Sequence, residues 1–218
     1  MSVIIIGAGG HAKVAADIFR LVDSPVLGYL DDDPAKIGVN LLGYPVLGAL
    51  QTASAYPDAA FIIGIGANQT RYMLAQRLTA SGVRWASAVH PRAVIAESVT
   101  VGAGVLIAAQ GAVNPDTTIG DHVIINTGAT VDHDCSIGDY VHVAPGTHLA
   151  GGVKVGAGTL IGVGSVITPY VTIGSGVVIG AGSVITKDIP DHVTVVGVPG
   201  RTISTNQAWP PAPATISR

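Results

Sequence analysis

Residues 119–155 read IGDHVIINTGATVDHDCSIGDYVHVAPGTHLAGGVKV, and a large aliphatic stands at every sixth position: Ile119, Ile125, Val131, Ile137, Val143, Leu149 and Val155. The same step extends the series back through Val113, Ile107, Val101 and Ile95 to Val89, and forward through Ile161, Ile167, Ile173 and Ile179 to Ile185. All seventeen positions hold Ile, Val or Leu, with no insertion between them. The residue four places further on is restricted as well, running Ala93, Val99, Val105, Gly111, Thr117, Val123, Ala129, Cys135, Val141 and on to Ser183. A period of six fits neither a helix, with its 3.6-residue turn, nor the alternation of a simple strand.

A period of six suits a triangular coil of three short strands. Each hexad then supplies one large and one small inward side chain followed by a corner, where Gly, Asn and Asp tolerate the tight backbone. About eighteen residues complete one turn, so the run makes between about five and six coils, a prism roughly 25 Å tall at about 4.8 Å per coil. This is the hexapeptide-repeat pattern of a left-handed parallel β-helix. Stacked coils leave open ends, so caps are expected at both.

The first 85 residues follow another rule. Val3–Gly7 reads as a buried strand, followed by Gly-Ala-Gly-Gly-His and a helical pattern from Ala12 to about Leu21. Val26–Leu30 is a second strand ending in Asp31-Asp32-Asp33-Pro34, and Ala59–Ile65 a third, leading through Gly66-Ala67-Asn68 into a helix over Gln69–Ala80. Strands alternating with helices predict a small parallel α/β sheet of three or four strands, Rossmann-like but only half of a dinucleotide-binding fold. The expected organisation is thus an α/β domain over 1–85, a β-helix over 86–201 and a tail over 202–218. That tail carries Trp209-Pro210-Pro211 and Pro213, and reads as a loose end or an arm laid on a neighbour.

Composition narrows the function. The chain is 48% hydrophobic but only 5% aromatic, so the core is built from aliphatics and small residues. Charged residues are 11%, too few for a disordered chain. Eleven basic against fourteen acidic residues leave a formal charge of −3, which argues against a nucleic-acid partner. The single cysteine, Cys135, has no internal disulfide partner and suits a reducing compartment. No apolar run reaches the length of a membrane span, and the start has no signal-peptide pattern, so a cytoplasmic protein without membrane insertion is expected.

Gly7-Ala8-Gly9-Gly10-His11-Ala12 matches G-x-G-x-x-A directly after the first strand, where glycines and a helix N-terminus admit a phosphate. Asp31, at the end of the second strand, suits a ribose hydroxyl. A nicotinamide dinucleotide is the competing ligand, but half a fold suits a nucleotide with one ribose, such as a sugar nucleotide. In Asp132-His133-Asp134, His133 falls at a solvated corner, where an imidazole keeps a near-neutral pKa, and the flanking carboxylates could orient it as a general base. Gly151 lies one coil further on, its N–H able to face a group held above that ring. His122, His148 and His192 read as incidental surface histidines. His142, between inward Val141 and Val143, points outward on the next face, toward a neighbouring subunit or a ligand between subunits. Cys135 fills a small inward slot, and no metal is expected, because adjacent Asp132, His133 and Asp134 do not converge on one ion.

These features together resemble the sialic acid O-acetyltransferase/bacillosamine N-acetyltransferase family, which includes the PglD-like, NeuD-like and perosamine N-acetyltransferases. The resemblance rests on Gly9-Gly10-His11-Ala12-Lys13, on Leu30-Asp31-Asp32-Asp33, and on a hexapeptide β-helix carrying Asn126, His133-Asp134 and His142, and it covers roughly residues 3–201. It extends to Gly197-Val198-Pro199-Gly200-Arg201, where the family usually has Ala in place of Gly200. It implies a homotrimer binding acetyl-CoA between adjacent β-helices. It implies His133 as catalytic base with Asp134 as its partner. Asn126, His142, the Gly151 N–H, Val163 and Ala181 would hold the acetyl donor. Gly9, Gly10, His11, Asp31, Asp32, Gly66 and Asn68 would hold the sugar nucleotide. Three activities stay open: N-acetylation of a UDP- or GDP-linked amino-deoxysugar, O-acetylation of a sugar hydroxyl, and a non-enzymatic or carbonic-anhydrase-like β-helix. The last would need a third zinc-binding histidine beside His133 and His142.

Overall fold

The computed structural model describes residues 1–211. The N-terminal unit holds β1 (Val3–Ile6), α1 (Gly10–Leu21), β2 (Val26–Leu30), β3 (Asn40–Leu41), β4 (Tyr44–Gly48), β5 (Ala60–Ile63), α2 (Asn68–Thr79) and β6 (Arg84–Trp85). They form one sheet of order β3-β4-β2-β1-β5-β6. The sheet is therefore wider than the expected three or four strands. The short β6 extends one side, and the antiparallel β3–β4 hairpin extends the other, joined to β2 through β4. The two-residue β3 and β6 are too short to show a period in the sequence, and β4 carries Pro45, which argues against a strand there.

The alternation of β1 sorts its side chains to two layers. Val3 and Ile5 pack with α1 against Ala88, Leu106 and Ile124 of the following unit, while Ile4 and Ile6 pack toward Phe61, Ala75 and Leu78. The α1 helix thus serves as the adhesive layer between the sheet and the β-helix.

From Ala88 onward the chain forms two-residue strands in three parallel sheets, in which residues 18 apart pair: Ile107 with Ile125, Val113 with Val131, Ile119 with Ile137. Fourteen of the seventeen hexad aliphatics are buried; Val89 and Ile95 are half-buried, and Val101 is 39% exposed. Those three belong to the first coil, which has no coil beneath it. The other end is closed by a hairpin of Val193–Val196 with Arg201–Thr205, in which the second strand runs antiparallel. Among the described residues no helix is long and apolar enough to cross a membrane.

Up to Pro211 the expected tail packs on its own chain. Arg201–Thr205 belongs to the closing hairpin, and Asn206–Pro211 folds back along the chain's own β-helix. Pro213 lies outside the described residues. Trp209 reaches Tyr72 and Tyr140, at ring separations of 5.3 and 6.0 Å.

Candidate active site

Six outward positions of one prism face stack in a column: Ala88, Leu106, Ile124, His142, Leu160 and Val178. The first three are buried beneath α1. His142 stands where the N-terminal unit ends, against Gly66, and Leu160 and Val178 continue as the floor of a groove of about 900 Å³. Apolar side chains left uncovered by the fold's own layers mark a place for a ligand or a partner. Gly66, Asn68, Val163 and Ala181 all line this groove. The structure therefore gathers residues expected for the acetyl donor with two expected for the nucleotide.

His142 does point off the prism, as expected, but its ring is held within its own chain. Nδ1 lies 3.1 Å from the Gly66 carbonyl and Nε2 lies 3.1 Å from Asn126 Nδ2. A carbonyl can only accept, so Nδ1 carries the proton and Nε2 accepts from the amide. Burial, with the nearby Arg71 charge, pushes the pKa of His142 down to about 4. A neutral imidazole of such low basicity makes a fixed wall and a poor base. His11 stands 6.1 Å from it, ring centre to ring centre, and burial likewise lowers it to about 4. Its Nε2 is buried with no partner among the described residues.

Arg71 organises this junction, and nothing in the sequence pointed to it. It sits in a largely polar helix pattern, yet it is 1% exposed. Its guanidinium donates to the carbonyls of Ile65, Gly66, His122, Tyr140 and Val141 and to Asn68 Oδ1, at 2.7 to 3.4 Å. Carbonyls from both units thus converge on one cation, and the Gly66–Asn68 turn is fastened to the β-helix. Burial lowers the pKa of Arg71 to about 9.

His122 overturns the reading of an incidental surface histidine: it is 4% exposed, stacked on Tyr140 at 5.3 Å and edge-on to Trp85 at 4.6 Å. Tyr140 is one coil above it, so the 18-residue step that stacks the aliphatics also stacks these rings. His148 is exposed and bonded to Thr130 Oγ1, while His192 is half-buried and accepts from the Trp209 N–H.

His133 lies at a different corner. Its side chain is 52% exposed, and Nδ1 meets Asp134 Oδ2 at 2.7 Å. Asp134 adopts a left-handed backbone, φ 58°, a conformation that Asp tolerates, which turns its carboxylate back beside the ring. This hydrogen bond raises the pKa of His133. Of the two flanking acids only Asp134 orients the ring; Asp132 accepts instead from Asn114 Nδ2 and from the His133 N–H. Gly151 lies directly over the imidazole, and its N–H has no partner among the described residues. Cys135 is buried, its thiol 3.3 Å from the Ala150 carbonyl and its pKa raised by burial.

At the head of α1, Gly9 and Gly10 are exposed, and a β-carbon on either would meet nothing within 4 Å. No side chain caps this helix, leaving its first N–H groups available to an anion. Asp31 is bound into the loop: its carboxylate accepts from the Ala8 and Asp33 N–H groups and from Lys36 Nζ. Asp32 accepts from the Leu50 N–H and faces Arg77 at 3.8 Å. Among the described residues no three His, Cys, Asp or Glu side chains converge on a common point for a metal ion.

Two family models match separate parts of the chain. The family described as PglD N-terminal domain matches residues 2–78, and the one described as Bacterial transferase hexapeptide (six repeats) matches 116–151 and 152–187. Perosamine N-acetyltransferase from Caulobacter crescentus, solved as a mutant in complex with CoA and GDP-perosamine, is similar at 40% identity and a TM-score of 0.89. The alignment covers 94% of this chain and 97% of that one. The acetyltransferase domain of PglB from Neisseria gonorrhoeae FA1090, solved with acetyl coenzyme A, is 35% identical over 93% of this chain and 98% of its own, with a TM-score of 0.87. UDP-N-acetylbacillosamine N-acetyltransferase of Bacillus subtilis (strain 168) is 36% identical over 111 residues. That match spans 50% of this chain and 51% of the relative, about half the length of each.

Proposed function

The chain belongs to the family of hexapeptide-repeat sugar N-acetyltransferases with a PglD-type N-terminal domain, and from that premise we propose that it transfers acetyl from acetyl-CoA to the amine of a nucleotide-linked amino-deoxysugar. The observation that carries this reading is the His133–Asp134 pair beneath Gly151, an oriented and solvent-open histidine beside a backbone N–H that has no partner among the described residues. The relatives support the substrate class: the Caulobacter enzyme was solved with CoA and GDP-perosamine, and the Neisseria domain with acetyl coenzyme A.

The geometry suits direct transfer. Asp134 holds the Nδ1 proton, so Nε2 is the basic nitrogen and takes the proton from the sugar amine as it attacks the thioester carbon. The Gly151 N–H faces the carbonyl oxygen as negative charge gathers on it. The thiolate of CoA leaves, and Cys135 takes no part, since its thiol is buried and its pKa raised. The glycine turn before α1 receives the nucleotide phosphates, while His11 and His142 line the space beside the acetyl group.

The groove's lining does not include His133. The two stand on different parts of the prism, so a complete site needs the groove of one copy beside the corner of the next. A homotrimer does this with a threefold axis along the β-helices. Its outward faces are poor in charge and offer Val94, Val166 and Ala112 for burial.

Incubating the protein with acetyl-CoA and a panel of UDP- and GDP-linked 4-amino sugars, with thiol release as readout, tests the reading. Turnover with at least one amine is expected. Turnover with a sugar hydroxyl and none with any amine would move the protein to the O-acetylating branch of the family.

A further inference from the structure

The groove has a wall that the repeat does not supply. Asn206, Gln207, Ala208, Trp209 and Pro211 form one side of it, across the floor of Leu160 and Val178 from Val163 and Ala181. This segment is fastened at both ends. The Asn206 N–H donates to the His192 carbonyl at 2.6 Å, its Nδ2 donates to the Gly176 carbonyl at 3.1 Å, and its Oδ1 accepts from Thr194 Oγ1 at 2.7 Å. Trp209 closes the other end, its N–H on His192 Nδ1 and its indole between Tyr72, Tyr140 and Gly158.

The β-helix is shaped to receive that indole. Gly158 follows Tyr140 in the corner column, in a left-handed backbone of φ 69°, and a β-carbon there would collide with the ring of Trp209. The Gly158 carbonyl accepts from Asn68 Nδ2, so the place where the indole rests is also a point where the two units meet. An aromatic ring seated on a glycine and ringed by tyrosines is a packed element with a fixed position.

We propose that Asn206–Pro211 is part of the acyl-donor site, and that Trp209 sets the width of the slot through which the pantetheine arm of the donor passes. The inference rests on the reading of the groove as the acetyl-CoA site. A long, uncharged chain with two amides matches a narrow channel of aliphatic walls edged by backbone and amide groups. Without the tail the same face keeps its floor of Leu160 and Val178 and its Val163–Ala181 edge but has no opposite wall from its own chain.

The test compares the full chain, a chain ending at Thr205, which keeps the closing hairpin, and Trp209→Ala, which keeps the Asn206 anchors. Calorimetric titration with coenzyme A is the readout, alongside the KM for the accepted sugar nucleotide. Loss of one wall should weaken coenzyme A binding about tenfold or more in the shortened chain and severalfold in Trp209→Ala. The sugar-nucleotide KM should stay within about twofold in both, since the glycine turn at the head of α1 is untouched. Unchanged coenzyme A affinity in Trp209→Ala overturns the proposal, whether or not the shortened chain folds. Equal weakening for both ligands overturns it too, by showing the tail to be a general staple. A full chain that binds no coenzyme A defeats the reading of the groove itself and the proposal with it.

Discussion

His133 and Gly151 are in such close contact that a β-carbon at 151 would fall 2.6 Å from Cε1 and 2.7 Å from Nε2 of the imidazole. Gly151 is therefore glycine for the sake of its neighbour's ring. Gly151→Ala should push His133 off its Asp134 partner and shield the free N–H. A fall in kcat of about 10²-fold or more is expected, the scale seen when one oxyanion donor is lost. Stability should change by less than about 1 kcal/mol, because an exposed ring can swing into solvent. Steady-state kinetics with urea unfolding alongside would check both; an undiminished kcat would separate the glycine from the reaction.

The carboxylate of Asp134 raises the pKa of His133 by stabilising the imidazolium. A base must be unprotonated to act, so the acidic limb of the pH profile of kcat/KM follows His133 and lies above an ordinary histidine's. Asp134→Asn should move that limb to lower pH while lowering the plateau, since the amide still orients the ring but no longer favours the charge that forms on it. A limb that stays in place would mean that another group titrates.

The β-helix was legible because one side chain in six has no alternative to the interior; Val101 alone is substantially exposed, and only because its coil is the first. The corner position of His133 and the one-coil step to Gly151 were legible for the same reason, since both follow from the register. That Asp134 and not Asp132 holds the ring depends on the backbone of residue 134 and was not legible from the register. Arg71 was not. Its role depends on carbonyls at 122, 140 and 141, which the chain reaches only after another fifty residues, and no local pattern distinguishes it from Arg77, exposed on the same helix. The buried state of His122 was hidden too, although the 18-residue step placed Tyr140 above it and would have revealed the stack.

Burial of His122 predicts an acid weakness. Its folded-state pKa is about 4, against about 6.5 in an unfolded chain. Above pH 6.5 both states are neutral and stability is full. As pH falls toward 4 the unfolded chain takes up a proton that the folded one refuses, so stability is lost through that window. This one group should cost roughly 1–3 kcal/mol by pH 4. His122→Phe keeps the stack on Tyr140 without a titrating nitrogen, so urea midpoints at pH 7 and 4.5 should lie closer together in the variant. An equal gap in both proteins would place the acid sensitivity elsewhere.

Removal of the Arg71 cation should loosen the domain junction and the acyl groove together. Arg71→Met leaves several buried carbonyls without a donor, and a loss of about 3 kcal/mol or more is expected by urea unfolding. Arg71→Lys restores a charge but has too few donors to reach carbonyls spread over both units, so it should recover less than half of that. Because Gly66 faces both Arg71 and His142, the lysine variant should also show a raised KM for acetyl-CoA. Full recovery by lysine would mean that the charge matters and the fork does not.

Because His133 stands apart from the groove, a site shared between copies can be counted by mixing two inactive variants. His133→Ala alone should lower kcat by about 10²–10⁴ if the ring is the base proposed above, and leave coenzyme A binding nearly intact, because the ring lines no part of the groove. Val163→Trp, on the exposed rim, should fill the groove and abolish donor binding while leaving His133 in place. If each site takes its base from one copy and its groove from the next, a random mixture of the two inactive proteins contains some sites with both parts sound. Equal mixing gives a sound base at half of all sites and a sound groove at half, so after unfolding and refolding together the mixture should regain about one quarter of wild-type activity. If base and groove of the same copy worked together, every site would carry one lesion and mixing would restore nothing. A co-refolded mixture that stays inactive, although sedimentation shows it assembled, would therefore sink the shared site and leave each chain to act alone.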